Sequence, residues 1–385
     1  MAQYQYKPLQ NSAQQIRLLE ILSTEHGRIS GSLKHFDLAD APPYIALSYT
    51  WGSPHPTRAI HVNRHALPIR QNLYDFFTVH GDRLRGSYIW ADQICIDQRC
   101  VTEVNEQVQI MGSIYRNADR VIAWLGKCPD EIQLIAALDT MEKQDDGNVL
   151  GAADPPDAKA FLTLDTQLLL PQNSHLIRMT RKQKAALDRL NENPYWTRLW
   201  IIQELLLSRE VQMLYGEVEI PLGAVANSYH TAQLVHQVDV QKRNKDEPVD
   251  WLNVMELTKE SMCFDLRDKV YGIQSLLPSE MRVSVDYAKS IEEVYFDAVA
   301  MYELHIEDAE QYVVGIFDLT VGMGFVDEDE WYDPEGDDAP HDLGKDQAIV
   351  DAVKDLRWSF PGNTSSQDKR KRLVELLRKT LLDRK

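Results

Sequence analysis

Val121-Ile122-Ala123-Trp124-Leu125 runs to Gly126 without one polar side chain. A continuous apolar run of this kind marks a β-strand buried on both faces. The sequence before it fits that environment. Tyr44-Ile45-Ala46-Leu47-Ser48-Tyr49-Thr50-Trp51-Gly52, after Pro42-Pro43, is another run of strand length, and Ser87-Tyr88-Ile89-Trp90-Ala91-Asp92 is a third. Between them, Asn63-Arg64-His65-Ala66 reads as a hairpin turn, and 71–84 carries Leu73, Phe76, Phe77 and His80 at helical spacing. A second helix is expected over 102–117, with Val104, Val108, Met111 and Tyr115 on one face. Strand, helix, strand, helix, strand predicts an α/β domain with a parallel sheet and helices on both faces.

Ligands of open α/β sheets sit beyond the carboxyl ends of the strands. That places Ser48, Tyr49, Trp51, Gly52, Asp92 and Asp97 where a site could form, although Asp at such positions also closes turns and caps helices. Gly81 and Gly86 have phosphate-loop spacing, but no Lys follows and a helix precedes them, so a nucleotide cradle is rejected there. Glu103 falls in the first turn of its helix, where the dipole favours a carboxylate.

One later stretch puts a carboxylate where an apolar helix should be dry. After Asn193-Pro194, residues 195–207 (YWTRLWIIQELLL) read as a single helix, with Trp200 and Glu204 four apart on one face and Trp196 one turn back. Burial there would raise the pKa of Glu204, one route to a reactive carboxylate. An ion pair with Arg198 is the structural alternative.

The remaining organisation follows from breaks in composition. Residues 1–43 are expected to be a lead-in, with an edge strand over 16–22 ended by Glu25-His26-Gly27. The domain is expected to span 44–216, closing near a hairpin at Gly216, with a Pro-interrupted insertion at about 145–175. A mostly helical layer over 217–325 follows, with helices at 251–260, 266–277 and 291–303. Residues 326–385 hold an acidic segment, 327–342, and a basic cluster, 369–372, before an amphipathic stretch. A net charge of -18 argues against nucleic-acid binding. No run of about 18 apolar residues and no secretory leader are present, so a cytoplasmic protein without a membrane span is expected. The 4 cysteines form no Cys-x-x-Cys pair, so no zinc site is expected and most should be buried thiols.

Three blocks together resemble the fungal heterokaryon incompatibility (HET) domain. They are 44–52, 90–98 with its continuation to Gly126, and 195–204; Arg267-Asp268-Lys269-Val270-Tyr271-Gly272 also looks familial. Where the family usually has Arg after the helix Glu, this chain has Val104. A shallower similarity runs to Toll/interleukin-1 receptor (TIR) domains, whose enzymatic members hydrolyse NAD+. Leu47-Ser48-Tyr49 is similar to a TIR strand end, and 198–205 is similar to the TIR helix that carries the catalytic Glu, with Ile201 in place of its Cys.

The resemblance implies a TIR-like, flavodoxin-like fold and a cell-death effector. It implies Glu204 as the catalytic residue, with Ser48, Tyr49, Trp51, Gly52, Asp92, Asp97 and Trp200 as substrate contacts, NAD+ as substrate and no bound cofactor or metal. Nicotinamide leaves NAD+ as a neutral molecule, so one carboxylate near the ribose would suffice. Self-association and an upstream receptor are the implied partners. The rival expectation is a non-catalytic death-signalling module that binds partner domains.

Overall fold

The computed structural model describes residues 2–24, 28–145, 179–225, 229–243, 249, 251–306 and 309–324. Nine strands join in one sheet. They are β1 (Gln15–Ser23), β2 (Ser30–Asp37), β3 (Tyr44–Tyr49), β4 (Thr57–Val62), β5 (His65–Arg70), β6 (Tyr88–Trp90), β7 (Arg120–Trp124), β8 (Val211–Tyr215) and β9 (Val218–Glu219), in the spatial order β5-β4-β2-β1-β6-β3-β7-β8-β9.

Strands β6, β3, β7 and β8 run parallel, as the strand–helix alternation predicts. The sheet as a whole is mixed, which corrects the expectation of a parallel one: β1 pairs antiparallel with both β2 and β6, and the β4–β5 and β8–β9 hairpins are antiparallel. The hairpin at Asn63-Arg64 has both residues at positive φ (48° and 70°), the turn whose twist matches paired strands. A second correction concerns β1. It is an interior strand with Ile16, Leu18, Leu19 and Ile21 at most 1% exposed, so residues 1–43 supply two strands of the sheet.

The helices are α1 (Gln71–His80), α2 (Asp92–Cys95), α3 (Val101–Asn117), α4 (Glu131–Asp145), α5 (Arg181–Asn191), α6 (Ile201–Leu206), α7 (Tyr229–Arg243), α8 (Trp251–Glu260), α9 (Asp268–Tyr271), α10 (Ile291–His305) and α11 (Ala309–Gly322). Both faces of the central strands are covered. In β7, Ile122 and Trp124 pack with Phe76 and Phe77 of α1, whereas Ala123 joins the cluster formed by α4, α5, α6 and the C-terminal helices. Successive strand residues point to opposite faces, so an unbroken apolar run is what this position requires.

Two predicted helices are broken. Residues 266–277 form the short α9 and a 3-10 turn, Gln274–Leu276, and residues 195–207 do not form one helix. Pro194–Thr197 is a 3-10 turn capped by Asn193, Arg198 is extended (φ -74°, ψ 132°), and α6 begins at Ile201. The extended residue is used for pairing: Arg198 bridges to Met262, with Met262 N donating to Thr197 O. Among the cysteines only Cys95 is buried, its thiol pushed up to about 12 by burial; Cys128 and Cys263 are half-buried and Cys100 is exposed. The turn at 25–27, nearly all of the 145–175 insertion, the acidic segment and the basic C-terminal stretch lie outside the described residues. No helix among the described residues is long and apolar enough to cross a membrane.

Candidate active site

Strand β3 ends in Ser48-Tyr49, and alternation along the strand delivers these side chains to opposite faces. On one face the Ser48 hydroxyl donates to Oε2 of Glu204. Because a hydroxyl has one proton to give, Tyr195, whose hydroxyl lies 2.6 Å from Ser48 Oγ, must be the donor in that second contact. A relay therefore runs from Tyr195 through Ser48 to the carboxylate. All three residues are buried, with Glu204 3% exposed.

On the other face the Tyr49 hydroxyl donates to Asp92 Oδ1 at 2.9 Å, and Trp51 Nε1 donates to Oδ2 at 2.7 Å. The Asp92 carboxylate also accepts from the Gln93 backbone N–H at 2.7 Å, the turn-closing role that Asp commonly takes at a strand end. Trp51 is half-buried, and the Arg70 guanidinium lies 4.7 Å over its ring while donating to Gly52 O. Gly52 itself is exposed and turns the chain at φ +69°, a conformation glycine adopts without strain.

Arg198 acts electrostatically on both carboxylates. Its Nη1 is 3.6 Å from Glu204 Oε2, and that nitrogen is buried without a hydrogen-bond partner. Desolvation raises the pKa of Glu204, with the Arg198 charge and the Ser48 hydrogen bond pulling the other way and Asp92 adding to the rise. Asp92 is also raised, again chiefly by burial, against the hydrogen bonds from Trp51 and Tyr49 and the Arg198 charge. The arrangement is two desolvated carboxylates under the influence of one guanidinium that still has a donor to offer.

Two sequence candidates lie elsewhere. Trp200 is the residue before α6, and its indole N–H donates to Asp268 at 3.1 Å instead of lining the Glu204 face. Trp200 to Glu204 is still one helical turn, closed by Glu204 N donating to Trp200 O at 3.2 Å, so it is the indole's bond to Asp268 that directs the ring elsewhere. Trp196 is cut off by the break at Arg198 and donates to Leu190 O. Asp97 accepts from Arg99, and its N–H donates to Glu103. It belongs to a second polar centre, in which Glu103 takes a two-pronged contact from the fully buried Arg17, at 2.5 and 2.9 Å. Glu103 thus binds Arg17 as well as occupying the first turn of α3.

Sequence reasoning missed Tyr195 as a partner of Ser48, and it placed Arg198 on a helix. The available signal was Tyr195 itself, at the head of the block that ends in Glu204. Among the described residues, no three His, Cys, Asp or Glu side chains gather as metal ligands.

Residues 44–204 match the family model described as heterokaryon incompatibility protein (HET). A curated relative, heterokaryon incompatibility protein 6, OR allele, of Neurospora crassa, is 28% identical over 202 residues, covering 46% of this chain and 29% of that protein. No solved structure matches the chain. The matched segment begins at the first residue of β3 and ends at Glu204, so it takes in both faces of the cluster. Residues 44–204 of this chain are therefore similar to the heterokaryon incompatibility (HET) domain.

Proposed function

We propose that this chain is a cell-death effector of the heterokaryon incompatibility type, and that its strand-end cluster cleaves the nicotinamide–ribose bond of NAD+. The observation that carries the reading is Glu204, a desolvated carboxylate fixed by Ser48 at the carboxyl end of β3 beside an Arg198 N–H with no partner. The parallel strands lie in the order second, first, third, fourth, the order of flavodoxin-like sheets, and β3 and β7 flank their switch point. That order supports a TIR-like reading of the fold.

In the reaction the departing nicotinamide is neutral and leaves from a cationic ring, so no acid is needed on the leaving group. The Glu204 carboxylate holds the ribose hydroxyls and stabilises the cationic sugar that develops in the transition state, and a water molecule then adds to its anomeric carbon and releases a proton to solvent. Arg198 supplies the donor for a ribose or phosphate oxygen, and the half-buried Trp51 a face for a ring. Ser48, Tyr49, Gly52 and Asp92 shape the strand ends around it. With Glu204 only 3% exposed, a ribose reaches it once the Arg198 segment or the Trp51–Asp92 contact moves aside. Self-association and a receptor upstream are the conditions under which this opening would occur in a cytoplasmic effector.

The second reading, a non-catalytic signalling module, is favoured by one specific contact. Arg198 already lies 3.6 Å from the carboxylate, as a structural ion pair would. Glu204→Gln separates the two. The amide keeps the shape and removes the charge, so the catalytic reading predicts a loss of about 10²–10³ in nicotinamide release with folding intact. A purely structural pair predicts a loss of about 3–5 kcal/mol in urea unfolding. A stable variant that releases nicotinamide at the parental rate removes Glu204 from the mechanism.

A further inference from the structure

Around the carboxyl end of α6, two residues beyond Glu204, lies a cleft of about 580 Å³ whose walls include neither Ser48 nor Glu204. Its walls come from four places in the chain: Arg116 at the end of α3, Arg209 just after α6, Lys242 at the end of α7, and Arg282 beyond the 3-10 turn at 274–276. These are its four charged lining residues, and all are cationic; no carboxylate lines the cleft among the described residues. In a chain of net charge -18 this needs a cause.

Helix ends explain part of it. Three helices point their carboxyl ends at the cleft, and each such end carries roughly half a negative charge, so cations in the last turn are expected. The hydrogen bonds fit: Arg209 donates to Arg116 O at 3.1 Å, and Arg282 donates to Leu277 O at 2.8 and 3.0 Å. Three ends supply about -1.5 in total against four full cations, which leaves roughly two and a half positive charges that the helix ends and the cleft's described lining residues do not answer. Burial lowers the pKa of both Arg116 and Arg282, and for Arg282 the neighbouring Arg116 lowers it further, ahead of the opposing pull of the exposed Glu280. The two guanidinium groups are held together against their own repulsion.

We infer that this cleft binds a small ligand carrying two or more phosphate groups. The four cations exceed what the helix ends require by about the charge of a diphosphate. Leu206, Leu207, Leu276 and Leu277 add an apolar wall beside them, and the volume falls within the range of pockets for nucleotide-sized molecules. The ligand would contact the carboxyl end of the helix that carries Glu204, yet it would occupy a site separate from the Ser48–Glu204 cluster.

Calorimetric titration of the full chain with ATP, ADP, AMP, adenosine and inorganic pyrophosphate tests this. Affinity should rise with phosphate number and fall with added salt. Lys242→Glu should weaken ATP binding about tenfold and Arg209→Glu/Lys242→Glu about a hundredfold, in protein that still unfolds in one cooperative transition. Lys242→Gln is the milder variant should charge reversal disturb folding, and it should still weaken binding. Glu204→Gln should bind ATP as the parent does. Pyrophosphate binding as tightly as ATP would support the site and assign recognition to the phosphates alone; a clear preference for ATP would support it with the apolar wall contributing. The inference is overturned if none of the phosphates binds, if adenosine matches ATP, or if binding survives Lys242→Glu and is lost in Glu204→Gln.

Discussion

Asp268 shows what a single buried carboxylate does outside the matched family segment. It accepts from Trp200 Nε1 at 3.1 Å and from the Tyr287 hydroxyl at 2.6 Å, tying the block that ends in Glu204 to the C-terminal helical layer. Burial nevertheless outweighs both hydrogen bonds and raises its pKa from 3.8 to about 6. The sign is the reverse of the usual carboxylate case. A raised folded-state pKa means that the native protein holds the proton more tightly than the unfolded chain. The contribution of Asp268 to stability is therefore greatest below about pH 4 and declines as pH rises through about 6. The gap is worth about 3 kcal/mol. Asp268→Asn keeps an acceptor for one of the two donors and removes the titration. The difference in unfolding free energy between variant and parent should shift in favour of the variant by about 2.4 kcal/mol between pH 4 and pH 7, read from urea midpoints. A difference that stays flat with pH would show that the carboxylate is not destabilised by burial.

At the scale of elements, the close approach of α3 to the segment after α9 depends on Gly112. A Cβ at this position would fall 2.2 Å from Ser275 Cβ and 2.9 Å from Leu207 Cδ1. Helix propensity alone would reward Gly112→Ala by about 1 kcal/mol, while overpacking costs about 1–3 kcal/mol, so the clash should win and the variant should lose stability. Ser275→Gly added to Gly112→Ala should restore most of the loss, because it removes the nearest obstructing atoms; a double variant as weak as the single one would place the strain elsewhere. Elements of this kind were only partly legible in the sequence. Strands β3, β6 and β7 and helices α1 and α3 could be read because burial on both faces, or on one helical stripe, leaves a local pattern. The break at Arg198 left none: no Gly or Pro marks it, and it exists because Arg198 pairs with Met262, sixty-four positions away. The Ser48–Glu204 contact was legible as two separate motifs, since each chemical group lies in a recognisable block. Tyr195 as the donor to Ser48 depends on that same tertiary break, and spacing could not supply it.

For the whole molecule, the boundary of the family match and the boundary of the folding unit differ. The match begins at Tyr44, which would leave residues 1–43 as a dispensable leader. The sheet says otherwise, because β1 lies between β2 and β6 and joins the β5–β4–β2 side of the sheet to its parallel centre. The short apolar run over 16–22 reads as an edge strand, yet it is an interior strand that holds a charged residue, Arg17. Its charge is answered by Glu103 of α3, its other Nη protons go to Cys95 O and Lys7 O, and its Nε–H has no partner. Removing the first 43 residues would expose the β6 edge and strand Glu103 without its partner, which costs about 3–5 kcal/mol for a buried pair. It would also remove the burial of Ile16, Leu18, Leu19 and Ile21, at about 1.5–3 kcal/mol each. The sum is on the order of 10 kcal/mol, comparable with the whole stability of a typical domain. A chain starting at Tyr44 should therefore fail to unfold cooperatively in urea, and it should regain a sharp transition when the segment 1–43 is supplied as a separate peptide. If the truncated chain alone melts in a single sharp transition near the parental midpoint, then β1 is an accessory to a domain that stands without it.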